Sequence, residues 1–130
     1  MSDELRRDRP AMRLWGTLAA IGAVIGATLR YLIGAHLSNS GAWPVSTLTV
    51  NLVGAFLIGA LSRVAWVMES EARRHFLTTG VLGGFTTFSA IAVETVALSP
   101  QTAMAYLLVT IVGGIALTAL GARMVATVQR

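Results

Sequence analysis

The chain contains no cysteine and no lysine. Without cysteine there is no disulfide framework and no thiolate metal site, and nothing marks a redox compartment. Without lysine the formal net charge of +4 rests on arginine alone. Charge of any sign is scarce, at 12% of residues. The two histidines, His36 and His75, fall at the ends of apolar blocks, on opposite predicted sides. Neither has a cysteine or a paired acid beside it, so nucleophile, base and metal-ligand constellations are missing. The sequence is not expected to be an enzyme.

What the chain has instead is apolar length. Of its 130 residues 55% are hydrophobic, and the mean hydropathy is +0.69. The apolar residues lie in four blocks. Leu14 to Leu29 is free of charge and resumes after Arg30 as far as Leu37, while Val45 to Ser62, Phe76 to Val93 and Thr102 to Ala122 are uncharged throughout. With its flanks, each block approaches the roughly 20 residues that cross a hydrocarbon core. The reading is an all-α membrane protein: a polar, mobile tail over residues 1–12, then one four-helix transmembrane domain over 13–130. The helices are predicted at about 14–37, 45–68, 76–98 and 102–123. The intervening connections leave no room for a soluble catalytic domain.

Arg6, Arg7, Arg9 and Arg13 ahead of the first block imitate a signal peptide, but no small-residue cleavage site follows, and the block is read as a retained helix. Arginine placement sets the topology. Four crossings put both termini and the second connection on one side, which carries nine of the ten arginines: Arg6, Arg7, Arg9, Arg13, Arg63, Arg73, Arg74, Arg123 and Arg130. The positive-inside rule places that side in the cytoplasm. The arginines flank spans, so topology and attraction to anionic headgroups account for them better than nucleic acid does. The first connection, Ser38 to Pro44, is rich in turn formers, with Trp43 suited to the interface; Leu98-Ser99-Pro100-Gln101 is a tight reversal.

Gly83-Gly84-Phe85-Thr86-Thr87-Phe88-Ser89 stands inside the third block. Paired glycines and paired β-branched threonines are poor helix interior, and a backbone that opens at bilayer depth must be satisfied by protein or a cavity. A helix broken near mid-membrane is a place to hold an ion. Asn51, four residues after Thr47, shares its helical face; it is either a helix-to-helix hydrogen bond or an anion donor. Tyr106, Thr110, Gly114 and Thr118 fall at four-residue intervals along one face of the fourth span, as a polar track or as hydroxyls bonded back to their own helix. Phe88 is core, lipid-facing, or a ring whose positive edge meets an anion, with the Ser89 hydroxyl beside it. Arg30 and Glu94 intrude furthest into spans and are vestibule candidates or interfacial residues. Gly22 with Gly26, and Gly80 with Gly84, form close-packing faces used either within one bundle or between subunits. Four short helices enclose no hydrated path alone, which favours an oligomer.

Taken together, Gly26-Ala27-Thr28-Leu29-Arg30-Tyr31, Ser46 through Gly54, and Gly80 through Ser89 resemble the Fluc (CrcB) fluoride channels, over roughly Gly16 to Gly121. The resemblance implies a passive channel exporting fluoride across the plasma membrane of a prokaryote. It implies an antiparallel dimer of four-helix subunits with a structural, untransported sodium ion between them. That ion would be held by the carbonyls of Gly83 and Thr86. Asn51, Phe88, Ser89, Tyr106, Thr110 and Thr118 would line the fluoride path, with Arg30 and Glu94 at family positions.

One departure stands out. Where the family commonly has a second pore phenylalanine, three residues after the first, this chain has Ile91, preceded by Ala90. Gly114 likewise stands where a hydroxyl would extend the track. An antiparallel homodimer needs insertion in both orientations, whereas the connections here carry arginine on one side only. The expectation is insertion one way and pairing with a paralogous, oppositely oriented chain. The alternatives are a small proton-coupled multidrug exporter, which lacks the carboxylate it would need in the first span, and a non-conducting partner subunit.

Overall fold

The computed structural model describes the backbone of residues 2–37 and 43–128, and the side chains within those ranges from residue 12 onward. Residues 38–42 of the connection expected at Ser38 to Pro44, the side chains of Arg6, Arg7 and Arg9, and Arg130 lie outside the described residues. In chain order the elements are α1 (Ser2–His36), α2 (Val45–Leu61), the single-turn α3 (Ala65–Met68) and α4 (Glu71–Arg74), a π-helix (His75–Leu82), α5 (Gly83–Phe85), α6 (Phe88–Ala97) and α7 (Pro100–Val128). Among the described residues there is no strand.

Three helical stretches are long and apolar enough to cross a membrane: Met12–His36, Glu71–Ala97 and Pro100–Val128. The apolar α2 is shorter, at 17 residues. At 1.5 Å per residue it reaches about 25 Å, at the low end of what spans a hydrocarbon core. The surface agrees with this reading. Val96 is 88% exposed and Ile115 69%, whereas the buried apolar set is small: Val50, Val67, Leu82, Phe85, Ile91 and Tyr106. In water so much apolar surface would aggregate; hydrocarbon or a second chain can cover it.

Every crossing has bounds that differ from those expected, the third beginning at Glu71 instead of 76. Residues 2–12 continue α1 instead of forming a tail; Asp3 and Glu4 stand at its N-terminal end, where acidic residues favour a helix. The second helix stops at Leu61 instead of running to 68: the N–H groups of Arg63 and Val64 bond three residues back, at 3.1 and 3.2 Å, Val64 is extended, and Ser62 Oγ donates to the Gly59 carbonyl at 2.7 Å. The last helix runs from Pro100 to Val128, beyond both expected ends. Its start obeys capping chemistry: Ser99 Oγ accepts from the Thr102 N–H at 3.3 Å, and Pro100 occupies the first turn, where its missing N–H costs nothing.

Glycine fixes how the crossings meet. On α1, Gly22 faces Gly80 so closely that a Cβ on Gly22 would lie 2.9 Å from the Gly80 Cα. A Cβ on Gly84 would lie 2.7 Å from the Ala23 Cα. Both glycine pairs therefore serve packing inside one chain, α1 against the π-helix and α5. Gly59 and Gly121 do the same between α2 and α7, against the backbones of Thr118 and Phe56. Backbone cannot retreat as a side chain can, so Gly84→Ala is expected to cost about 1–3 kcal/mol by overpacking, read as a lower thermal midpoint in detergent.

Candidate functional site

The third crossing is not one helix. It begins as α4, widens into the π-helix, in which the Gly83 N–H reaches the Thr78 carbonyl five residues back, and closes as α5. Thr86 and Thr87 are then extended (φ −77°, ψ 158° and φ −147°, ψ 127°) before α6 begins at Phe88. The interruption expected from paired glycines and threonines falls at the threonines. A π-helix of this length is rare, and such widened turns concentrate at functional sites; no periodicity in the sequence announces it.

Asn51 holds the break. Its Oδ1 accepts from the Thr87 N–H at 2.7 Å, and its Nδ2 donates to the Thr87 carbonyl at 3.0 Å. The two bonds fix which end of the carboxamide is which, and they leave the second N–H of Nδ2 available. One turn further along α2, Gly54 presents no side chain, and the methyl of Thr86 and the ring of Phe85 pack against it. Thr87 also caps α6, its Oγ1 accepting from the Ala90 N–H at 3.2 Å.

These bonds have a consequence for two carbonyls. In a continuous α-helix the Gly83 carbonyl would take the Thr87 N–H and the Thr86 carbonyl the Ala90 N–H. Here Asn51 Oδ1 takes the first donor and Thr87 Oγ1 the second. Both oxygens are thereby freed from their helical partners, on a stretch where Gly83 is exposed and Thr86 half-buried.

Beside the break lies a cavity of about 330 Å³, lined by Arg30, Ser46, Thr47, Thr87 and Ser89 together with Gly34, Val50 and Ala90. Arg30 is the one charged group in this lining, and among the described residues it forms no ion pair. Ser89 Oγ lies 3.2 Å from Thr87 Oγ1. Thr47 connects the cavity to Glu94: its Oγ1 donates to Glu94 Oε1 at 2.6 Å, while the Tyr106 hydroxyl donates to Glu94 Oε2 at 2.7 Å. Tyr106 is fully buried and meets Trp43 edge to face at 6.3 Å. Glu94 is therefore bonded between α2 and α7 at both oxygens. Removing one donor should leave a part-buried acceptor short of a partner, at about 1–3 kcal/mol. Tyr106→Phe is thus expected to lower the thermal midpoint, and Tyr106→Trp should not restore it.

The other expected path residues stand apart from this cluster. Phe88, at the first turn of α6, is 80% exposed, and Ile91 is 7% exposed and faces the interior of the chain. Thr110 Oγ1 donates to the Tyr106 carbonyl at 2.8 Å, and Thr118 Oγ1 to the carbonyls of Gly114 and Ala55 at 2.9 and 3.0 Å. The structure thus gathers Arg30, Thr47, Asn51, Ser89, Glu94 and Tyr106 around the break. It leaves Phe88 on an open face and Thr110 and Thr118 further along α7. Sequence reading missed Thr87 as the hinge of the arrangement, although a threonine three residues before Ala90 has the spacing of a helix cap.

Residues 17–122 match the profile of the family described as CrcB-like protein, Camphor Resistance (CrcB). The chain belongs to the CrcB family. A relative from Bordetella petrii, named a fluoride-specific ion channel FluC, is 45% identical over 108 residues, covering 78% of this chain and 84% of that protein. The FluC of Bordetella pertussis is 41% identical over 113 residues, covering 78% and 83%. A FluC from Thermus thermophilus is 48% identical over 85 residues, covering 62% and 66%. The matched region of this CrcB chain contains every residue of the break and its cavity, and its crossings make it a multi-pass membrane protein.

Proposed function

We propose that this chain is a subunit of a fluoride-specific channel that lets fluoride leave the cytoplasm passively. The observation carrying the proposal is the Thr86–Thr87 break clasped by Asn51 beside an arginine-bearing polar cavity, in a chain whose relatives are named fluoride channels. Fluoride is small and strongly hydrated, and burying it without replacement partners is prohibitive. Arg30 raises the local anion concentration at the cavity. The spare amide N–H of Asn51 and the hydroxyls of Thr47 and Ser89 offer short donors in place of water, without the trap a buried cation would set. Thr110 and Thr118 donate to backbone carbonyls, so each must swing off its carbonyl to meet an anion. The open Phe88 offers a ring edge.

A sodium ion is the second element of the proposal. The residues fit one: the carbonyls of Gly83 and Thr86 have lost their helical donors to Asn51 and Thr87, and hard cations take oxygen ligands at such unwound segments. When bound, the ion supplies positive charge that stabilises the opened backbone. The chain's own part is to keep the oxygens free, through Asn51 and the Thr87 cap.

The assembly we propose is an antiparallel dimer, because Phe88 and Gly83 lie open on the single chain. Nine arginines on one side favour insertion with both termini in the cytoplasm, and hence a paralogous partner of opposite orientation. Liposomes carrying this chain alone and with that partner test the point: fluoride efflux is expected only from the pair. Robust efflux from the single chain would contradict the heterodimer and leave the channel standing.

A further inference from the structure

Where the second crossing gives way to the third, α3 and the start of the third crossing fold into a structure separate from the break and its cavity. Arg73, on α4, stacks its guanidinium 4.7 Å above the ring of Trp66 on α3 and donates from Nε to the Trp66 carbonyl at 2.6 Å. Below them opens a groove of about 300 Å³, walled by Leu18, Trp66, Ala72, Phe76 and Leu77, with Arg73 the only charged lining residue. Trp66 is 59% exposed. The neighbouring arginine is engaged differently: Arg74 pairs with Glu71 at 2.6 Å, so the acid of α4 is not spent on Arg73.

We propose that this groove binds one anionic phospholipid, with its phosphate on Arg73 and the upper part of an acyl chain along Leu18, Phe76 and Leu77. Three observations converge. The guanidinium is fixed in direction by its ring stack and its Nε bond, so its terminal nitrogens are held as a preformed fork, the geometry that suits phosphate. The walls under it are apolar, as an acyl chain requires. The groove sits at the arginine-bearing end of the bundle, with Arg63 and Arg74 close in sequence, where the surface attracts acidic headgroups and tryptophan settles at the interface. The site is independent of ion conduction and rests only on the chain spanning a membrane. Its consequence is local: a lipid seated there braces α3 and α4 against the start of the π-helix, and so steadies the segment leading to the break.

The test uses the full chain purified in a neutral detergent, with native mass spectrometry counting retained lipid and a thermal scan reporting its effect. The probes are phosphatidylglycerol, phosphatidylcholine and inorganic phosphate. Phosphatidylglycerol is expected to be retained and to raise the midpoint; phosphatidylcholine and free phosphate should do neither. Arg73→Gln should weaken retention at least about tenfold, the loss expected for one charge-assisted pair. Arg73→Lys should fall between, and Arg123→Gln, at the same end but outside the groove, should bind like the unaltered chain. The proposal is overturned if Arg73→Gln keeps its phosphatidylglycerol, or if Arg123→Gln loses as much, which would mean diffuse charge attraction. It is also overturned if phosphatidylcholine serves equally, if free phosphate alone gives the full effect, or if Trp66→Ala separates a dimer without changing lipid retention, which would give the groove to a second copy. None of these readouts depends on fluoride.

Discussion

Asn51→Asp is expected to reduce fluoride flux by at least about a hundredfold, while the protein still assembles and elutes as the parent does. The substitution keeps the acceptor for the Thr87 N–H, bonded at 2.7 Å. It deletes both amide donors and sets a carboxylate oxygen against the Thr87 carbonyl, now 3.0 Å away. An unsatisfied buried carbonyl costs about 1–3 kcal/mol, and each 1.36 kcal/mol of barrier is about tenfold in rate. The carboxylate adds like-charge repulsion on the proposed anion path, in a medium that screens it poorly. Fluoride efflux measured with an ion-selective electrode, beside a size-exclusion profile, checks both halves. Unchanged flux would remove Asn51 from the path.

The second large effect is expected at Phe88. On the single chain this ring is 80% exposed, so little intramolecular packing depends on it, and Phe88→Ile should leave the folding stability of the chain itself within about 0.5 kcal/mol, as surface changes usually do. The flux should nevertheless fall at least about tenfold, because an aliphatic side chain has no positive edge to offer a dehydrated anion. A drop in stability equal to the drop in flux would mean that the ring is packing material. Unaltered flux would mean that the ion does not pass it.

Much of this architecture was legible because the bilayer simplifies the code. Uncharged blocks of sufficient length mark crossings by composition alone, and the second block ended within one residue of the observed α2. Thr86-Thr87 announced a backbone that would open, whereas Gly83-Gly84 stays helical in α5, with Gly84 packed against Ala23. Other features stayed hidden because they depend on partners distant in sequence. Asn51 reads as a lone amide until the fold brings Thr87 to it from 36 positions away. Glu94 reads as a residue near an interface until Thr47 and Tyr106 converge on it from two helices. The paired glycines were visible, but choosing between bundle packing and a subunit seam required seeing Gly80 against Gly22. The π-helix had no signal, because a widened turn is imposed by tertiary packing and by where Thr78 and Gly83 find their bonds. The expected tail and the long second helix differ from what is observed: α1 runs back to Ser2 past Pro10, against proline's local preference, and α2 ends where the backbone turns extended at Val64.

Sequence and geometry meet in the claim that an opened third crossing, held by Asn51, lets a small dehydrated anion through and nothing larger. The direct measurement loads liposomes with equal fluoride and chloride, reconstitutes the chain together with the paralogous partner proposed for it, and follows both ions after the gradient is released. Rapid loss of fluoride is expected, with chloride retained as in protein-free vesicles, and that difference should vanish when Asn51→Asp is reconstituted. Fluoride retained as in protein-free vesicles, or chloride leaving alongside it, would contradict the claim.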